Sequence, residues 1–94
     1  MKDRELWRLL VRQIHGADYG WKGIGNQLGI AHSRVAAFAL RDAPMALTWE
    51  RGQTIIRLHK ALCPDHQVDL APLLAELDTL LRDEAIQRAI DRTG

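Results

Sequence analysis

The sequence has one cysteine, Cys63, among its 94 residues. One cysteine cannot form an intramolecular disulfide, which argues against a disulfide-stabilised secreted scaffold and favours the cytoplasm. No signal-peptide pattern is visible, since the charged residues 1–5 lead directly into an amphipathic segment that contains Arg8 and Arg12. No uninterrupted apolar run is long enough to span a bilayer. We therefore expect a cytoplasmic protein.

Aromatic residues are also few, at 5% of the chain, and Leu, Ile, Val and Ala supply most of the apolar share. The sequence lacks the alternation of apolar and polar residues that is typical of a half-buried strand. A chain of this length forms one domain and buries roughly two thirds of the surface of its unfolded state. The composition therefore predicts a single all-α domain with a modest core.

Acidic residues are scarce in the first two thirds of the chain. Residues 1–63 contain ten Lys/Arg and five Asp/Glu, a net charge of +5, whereas residues 64–94 contain three and seven, a net charge of −4. The basic part suits an approach to phosphate, and the acidic part suits a protein partner better than DNA. We therefore divide the same compact domain into a core of residues 1–63 and a tail of residues 64–94.

Apolar residues at helical spacing predict three helices in the first part of the core. The first starts at Asp3 as N-cap and runs to about His15, with Gly16 as its stop. The second covers residues 21–28 and ends in a left-handed turn at Gly29. The third covers residues 32–41, and Pro44 prevents its continuation.

Two more helices are predicted beyond the Pro44 loop. Thr48 caps a fourth helix that extends to about Leu62, in which Gly52 is a weak point. Asp69 caps a fifth helix over about residues 70–92, with Pro72 tolerated in its first turn. This fifth helix carries a leucine-rich stripe over roughly six turns. The stripe is too apolar to remain in water, so it packs on the other helices, on a second copy of the chain, or on both.

Arg4, Arg8 and Arg12 form a row along one face of the first helix. The simpler interpretation of this row is a solvated surface, and the more specific one is a set of cations that face phosphate. Trp7, Trp21 and Trp49 are expected to fill the core, although Trp49 is also a candidate for exposure near DNA or a partner.

The segment WKGIGNQLGIAHSRVAAFAL, which starts at Trp21, fits the demands of two helices that cross closely at a tight turn. Its fifth residue, Gly25, is small enough for a close crossing, and its ninth residue, Gly29, suits the turn. The remaining demand is for apolar residues at the fourth, eighth, tenth, fifteenth and eighteenth places. Those places hold Ile24, Leu28, Ile30, Val35 and Phe38.

On these residues the chain resembles the Cro/lambda-repressor-like helix-turn-helix proteins, which are common among phage and mobile-element regulators. The resemblance covers residues 5–63 and lapses beyond residue 64. It implies a five-helix fold and a homodimeric, sequence-specific transcription factor that binds a palindromic operator, with repression the commoner outcome for so small a protein.

The resemblance also implies which residues meet DNA. Base edges would be read from the start of the third helix, by His32, Ser33, Arg34 and Ala37. The DNA backbone would be held by Lys22, Asn26, Gln27, Arg41 and Arg51.

Two positions depart from the family pattern. Trp21 stands where a phosphate-binding Gln is common, and Ala31 stands where Ser or Thr usually caps the recognition helix. Ala36 and Ala37 offer only methyl groups to the bases, so we expect DNA shape to contribute to the choice of operator.

The acidic tail is predicted to make the dimer contact through the leucine-rich stripe of the fifth helix. The residues assigned to dimerisation are Leu70, Leu73, Leu74, Leu77, Leu80, Leu81 and Ile86.

Other functions find little support in the residues. His59, Cys63 and His66 form an H-x3-C-x2-H pattern, but Pro64 interrupts the helix and no second cluster supports a metal. Cys63 lacks a recognisable base, so we expect no enzyme activity, no metal and no cofactor. The alternative to a regulator is a protein-interaction module on the same fold, such as an antirepressor or an antitoxin-like subunit.

Overall fold

The computed structural model describes residues 4–93, which form five α-helices and no strand. The helices are α1 (Glu5–Gly16), α2 (Trp21–Leu28), α3 (His32–Arg41), α4 (Trp49–Leu62) and α5 (Ala71–Thr93). The prediction of an all-α chain is therefore confirmed over these residues. None of the described helices combines the length and apolar character needed to cross a bilayer.

The core forms around α1, which packs against α3 and α4. Helix α2 packs against α3 and α4, and α5 packs mainly on α4. Helices α1 to α4 contribute apolar side chains at the predicted spacing, and several of these have no solvent-accessible surface, whereas α5 contributes only part of its predicted stripe. The largest buried side chains from the first four helices are Trp7, Leu10, Ile14, Ile24, Phe38 and Ile55.

The ends of α1 differ from the prediction. The expected cap, Asp3, lies outside the described residues, and Arg4 occupies the N-cap position without a side-chain capping bond. Gly16 is the last helical residue rather than the stop. The left-handed conformation after the helix is adopted by Asp18, with φ of 66°. Asp tolerates this conformation better than most residues.

The arginine row on α1 contacts the C-terminal end of α3. Arg8 is buried and donates from Nε to the carbonyl oxygen of Phe38 at 2.9 Å. Arg12 donates from Nη1 to the carbonyl oxygen of Ala39, also at 2.9 Å. The last carbonyl groups of a helix lack partners within it, so these guanidinium groups complete the end of α3. Both interpretations of the row are therefore wrong for the buried Arg8, whereas Arg12 keeps a partly exposed side chain.

Gly52 is a packing requirement rather than a weak point of α4. A Cβ atom at this position would overlap Cδ2 of Leu77 and would lie 3.1 Å from Cη2 of Trp7. Leu73 and Leu77 are buried, so the first half of α5 completes the core. The Nε1 atom of Trp7 also donates to Oε1 of Glu76 at 2.9 Å.

Candidate nucleic-acid interface

A three-residue turn joins α2 to α3. Gly29 adopts the left-handed conformation with φ of 74°, as the sequence predicted. The amides of Gly29 and Ile30 both donate to the carbonyl oxygen of Gly25, at 2.7 and 3.0 Å. These bonds satisfy the end of α2 and hold the turn in place.

Helices α2 and α3 approach each other closely at Gly25. A Cβ atom on Gly25 would lie 2.7 Å from the carbonyl oxygen of Ile30 and 3.2 Å from Cα of His32. Both neighbours are backbone atoms and cannot rotate away. The prediction that Gly25 permits a close crossing is confirmed.

The start of α3 faces solvent without a capping side chain. Ala31 occupies the N-cap position in an extended conformation and makes no side-chain hydrogen bond. The first amides of a helix carry partial positive charge and attract anions. The departure of Ala31 from the family pattern therefore leaves amide groups at this end for an outside acceptor.

The side chains at this end of α3 are accessible. His32, Ser33 and Arg34 are all exposed. Ala37 is half-buried, as is Ala36, so each offers a limited area to a ligand. Val35, between these groups, is fully buried and fixes the rotation of the helix.

The five residues assigned to the DNA backbone fall into two groups. Lys22, Asn26, Gln27 and Arg41 are exposed. Arg51 is half-buried, and its guanidinium donates to the carbonyl oxygens of two other residues. The Nε bond to Leu28 is 3.1 Å long, and the Nη1 bond to Ala46 is 2.7 Å long.

An open groove of about 590 Å³ lies between the end of α2 and the start of α4. Gln27, Gly29, Arg51 and Arg57 contribute to its lining. The sequence did not indicate a role for the exposed cation of Arg57, because only the packing of α4 beside α2 brings it to this groove. Thr48 caps α4 as predicted, with its hydroxyl oxygen accepting from the Arg51 amide at 3.2 Å.

The α2–α3 segment carries charge of one sign. Residues 19–41 include Lys22, Arg34 and Arg41 and no Asp or Glu. All three cations are exposed. The surface that presents the start of α3 is therefore basic, and it suits a polyanion.

Trp21 packs on the body of the protein. Its ring stacks on that of His15 with centroids 3.9 Å apart and an interplanar angle of 11°. The half-buried indole thus joins α2 to α1. Trp49 is half-buried as well, and its amide donates to Oε2 of Glu84 at 2.9 Å.

His59 of α4 and Cys63, the residue that follows α4, contact α1. The His59 Nε2 atom lies 2.6 Å from Oε1 of Gln13, and the Cys63 thiol donates to the Gln13 carbonyl oxygen at 3.3 Å. Burial raises the pKa of the Cys63 thiol, which makes it less reactive. Within residues 4–93, no group of His, Cys, Asp and Glu side chains has a geometry that suits a metal ion.

The seven residues assigned to dimerisation occupy three environments. Leu73 and Leu77 belong to the core of the chain itself, and Leu70 and Leu80 pack half-buried against it. The exposed group consists of Leu74, Leu81 and Ile86, with exposed fractions of 52, 42 and 57%.

The candidate interface thus combines a tight turn, an accessible helix start and an α2–α3 segment without carboxylates, although the exposed Glu50 lines the neighbouring groove at the start of α4. The residues that the sequence assigned to bases and backbone lie on α2, α3 and the start of α4. No protein-family model, curated protein sequence or solved structure matches this chain.

Proposed function

We propose that this protein is a sequence-specific DNA-binding regulator of the lambda-repressor-like helix-turn-helix type, acting as a homodimer. The observation that carries the proposal is the basic α2–α3 surface, in which Arg34 is exposed in the accessible first turn of α3, Lys22 on α2 and Arg41 at the last residue of α3. Cations and free amides are the groups that bind phosphate, and a short helix on a tight turn is a common means of entering the major groove.

In this proposal α3 lies in the major groove and reads bases from its first turn. His32 and Ser33 donate to or accept from base edges, and Arg34 is suited to the O6 and N7 atoms of guanine. The half-buried Ala37 contributes a methyl contact. Lys22, Asn26, Gln27 and Arg41 hold the flanking phosphates.

In the proposal, Arg51 both stabilises the neighbouring backbone and contributes positive charge to the groove. Its bonds to Leu28 and Ala46 keep the end of α2 and the preceding loop in place. The guanidinium lines the groove together with Arg57, so its positive charge still acts on a phosphate there.

The homodimer is supported by the exposed apolar side chains of α5. Leu74, Leu81 and Ile86 are too exposed to be explained by the core of one chain. Two copies would present their α3 helices about 34 Å apart, one turn of DNA, to the halves of a palindromic operator. We propose repression as the outcome, because a dimer that occupies an operator blocks access to that DNA.

A selection of bound sequences from random double-stranded DNA tests the proposal. We expect enrichment of one palindromic site. His32→Ala and Ser33→Ala should each reduce the preference for that site over random DNA by about 1–3 kcal/mol. Arg41→Gln should weaken binding to every sequence. Arg82→Gln removes an exposed cation from the acidic α5 and serves as the matched control, with no change expected.

The salt dependence of binding provides an independent check. A protein that contacts several phosphates loses affinity steeply between about 50 and about 200 mM salt. The proposal fails if the purified protein shows no affinity for DNA at low salt. Equal losses for the His32, Ser33 and Arg41 variants on all sequences would reject the division between base and backbone contacts.

A protein-interaction module on the same fold is the second candidate, and the exposed apolar residues of α5 favour it. Such a module would bind a protein through Leu74 and Leu81, with no dependence on the basic residues of α3. A partner captured equally well by the wild type and by the Arg34→Gln variant, together with no affinity for DNA, would favour the module.

A further inference from the structure

The accessible face of α5 carries a repeating stripe. Leu74 and Leu81 are exposed and lie seven residues apart, or about two helical turns. Steps of four and three residues extend this stripe at the spacing of a coiled-coil seam, with charged residues at three of its six positions. Its six positions are Leu74, Asp78, Leu81, Ala85, Arg88 and Arg92.

The stripe continues beyond the core. Residues 85–92 are all exposed, so the second half of α5 extends past the helices on which the first half packs. The stripe lies beside the buried face that contains Leu73 and Leu77, at about a quarter turn around the helix. A second helix can therefore lie along it without displacing any core contact.

The charges on the stripe discriminate between the two directions of self-pairing. In a parallel pair, Asp78 would face Asp78 of the second copy, and Arg88 would face Arg88. In an antiparallel pair, the two helices can be aligned so that the two-fold axis passes at the level of Asp83. Asp78 of each copy then lies opposite Arg88 of the other, which gives two such pairs by symmetry. Like charges across a helix interface disfavour association, and opposite charges set partner and direction.

The apolar residues fit the same antiparallel register. With the centre at Asp83, Leu81 lies opposite Ala85 of the second copy, so a small residue accommodates a large one. A shift of the register by seven residues in either direction destroys both the Leu81–Ala85 and the Asp78–Arg88 pairings. One register therefore gives both of these pairings. It also places Leu74 opposite Arg92, whose aliphatic stem can pack on the leucine.

We propose that two copies of this chain associate through antiparallel α5 helices, centred on Asp83 and overlapping over residues 74–92. The overlap is about 28 Å long. The second half of each helix covers the exposed stripe on the first half of the other. The inference rests on the homodimer of the proposed function and specifies how its two copies meet: Leu74 and Leu81 lie in the interface, whereas Ile86 lies about a third of a turn away from it.

The charged residues of the stripe are available for this role. Asp78 pairs within its own helix with Arg82 at 3.4 Å, but both side chains are at least 70% exposed. Such an exposed pair holds its partners only weakly. Among residues 4–93, no ion pair involves Arg88.

Charge reversal tests the pairing, with dimer dissociation constants measured by sedimentation equilibrium at low salt and without DNA. Asp78→Arg and Arg88→Asp should each raise the dissociation constant about tenfold or more, because each creates two like-charge contacts. An equimolar mixture of the two variants should form a heterodimer about as stable as the wild-type dimer. The double variant, D78R/R88D, should also have a dissociation constant close to that of the wild type, because it restores opposite charges at both contacts.

Asp83→Arg is the matched control. It makes the same charge change on an exposed residue of α5, but Asp83 lies on the side of the helix opposite the stripe. We expect a dissociation constant within about twofold of that of the wild type. The proposal is overturned if Asp83→Arg weakens the dimer as much as Asp78→Arg does. It is also overturned if the mixed variants dimerise no more tightly than either variant alone, or if the wild type is monomeric.

The assay contains no DNA, so its outcome is separate from that of the proposed function. If the dimer depends on these charges but binds no DNA, the antiparallel pairing is supported and the proposed DNA-binding function is rejected. Specific DNA binding by a chain that does not dimerise through the stripe would reject the pairing alone.

Discussion

His59 connects two helices through a buried polar contact. It is 4% exposed, and its Nε2 atom lies 2.6 Å from the amide oxygen of Gln13 on α1. Burial lowers the pKa of the His59 imidazole from its usual 6.5, and the charge of the nearby His66 lowers the pKa further. The folded chain therefore resists protonation of a group that the unfolded chain protonates readily.

This pKa shift predicts a loss of stability in weak acid. Below about pH 6.5 the unfolded state binds a proton that folded His59 does not, so the free energy of unfolding decreases as the pH falls. Stability from this group is complete above pH 6.5. Urea unfolding at about pH 7.5 and about pH 5.5 should show the decrease in the wild type and a smaller one in His59→Gln.

His32→Gln is the control, because His32 is exposed at the start of α3. Its pH dependence should match that of the wild type. If His59→Gln retained the full decrease, the titrating group would lie elsewhere.

At the scale of the elements, sequence spacing predicted the helices better than their ends. The bounds predicted for α2 and α3 agree with the structure, because the period of their apolar residues and Gly29 are local signals. The C-terminal end of α3 is different. Its carbonyl groups receive hydrogen bonds from Arg8 and Arg12, about 30 residues earlier in the chain, and no local pattern encodes that contact.

The arginine contacts predict a graded loss of stability. Arg8→Met keeps an apolar stem but removes bonds to the carbonyl oxygens of Phe38 and Ala43, and should cost about 2 kcal/mol. Arg12→Met should cost about 1 kcal/mol, since its side chain is 36% exposed. Urea unfolding measures both losses.

Arg34→Met provides the comparison, as an exposed arginine on α3 that should change stability by less than about 0.5 kcal/mol. If Arg8→Met changed the free energy of unfolding as little as Arg34→Met, the stability of the end of α3 would not depend on its contacts with α1.

At the scale of the whole molecule, α5 has two parts with different roles. Its first half completes the core through Leu73 and Leu77, and Leu77 occupies the space that the absent side chain of Gly52 leaves. Its second half, residues 85–92, is exposed. The leucine-rich stripe alone could not separate these parts, because the same residue type serves the core and the surface.

Two truncations should separate the halves of α5. Removing residues 85–94 should leave the unfolding free energy of the monomer within about 0.5 kcal/mol of the wild type, because no buried side chain from residues 85–92 is lost. Removing residues 69–94 deletes Leu73 and Leu77 and should leave the chain largely unfolded, as each buried Leu contributes about 2–5 kcal/mol.

Circular dichroism during urea titration measures both outcomes, at a protein concentration low enough to exclude dimer stabilisation. A strong loss of stability in the shorter truncation would show that residues 85–94 contribute to the fold of the monomer.

The sequence by itself determined the helical class, the apolar faces, the turn at Gly29 and the close crossing at Gly25. These features depend on residues near one another in the chain, through the helical period and the conformational freedom of glycine. The tertiary structure decided the role of Arg8, the need for Gly52 and the division of α5. Each of these depends on atoms that are distant in sequence, and only packing brings a donor to its acceptor or a leucine to its space.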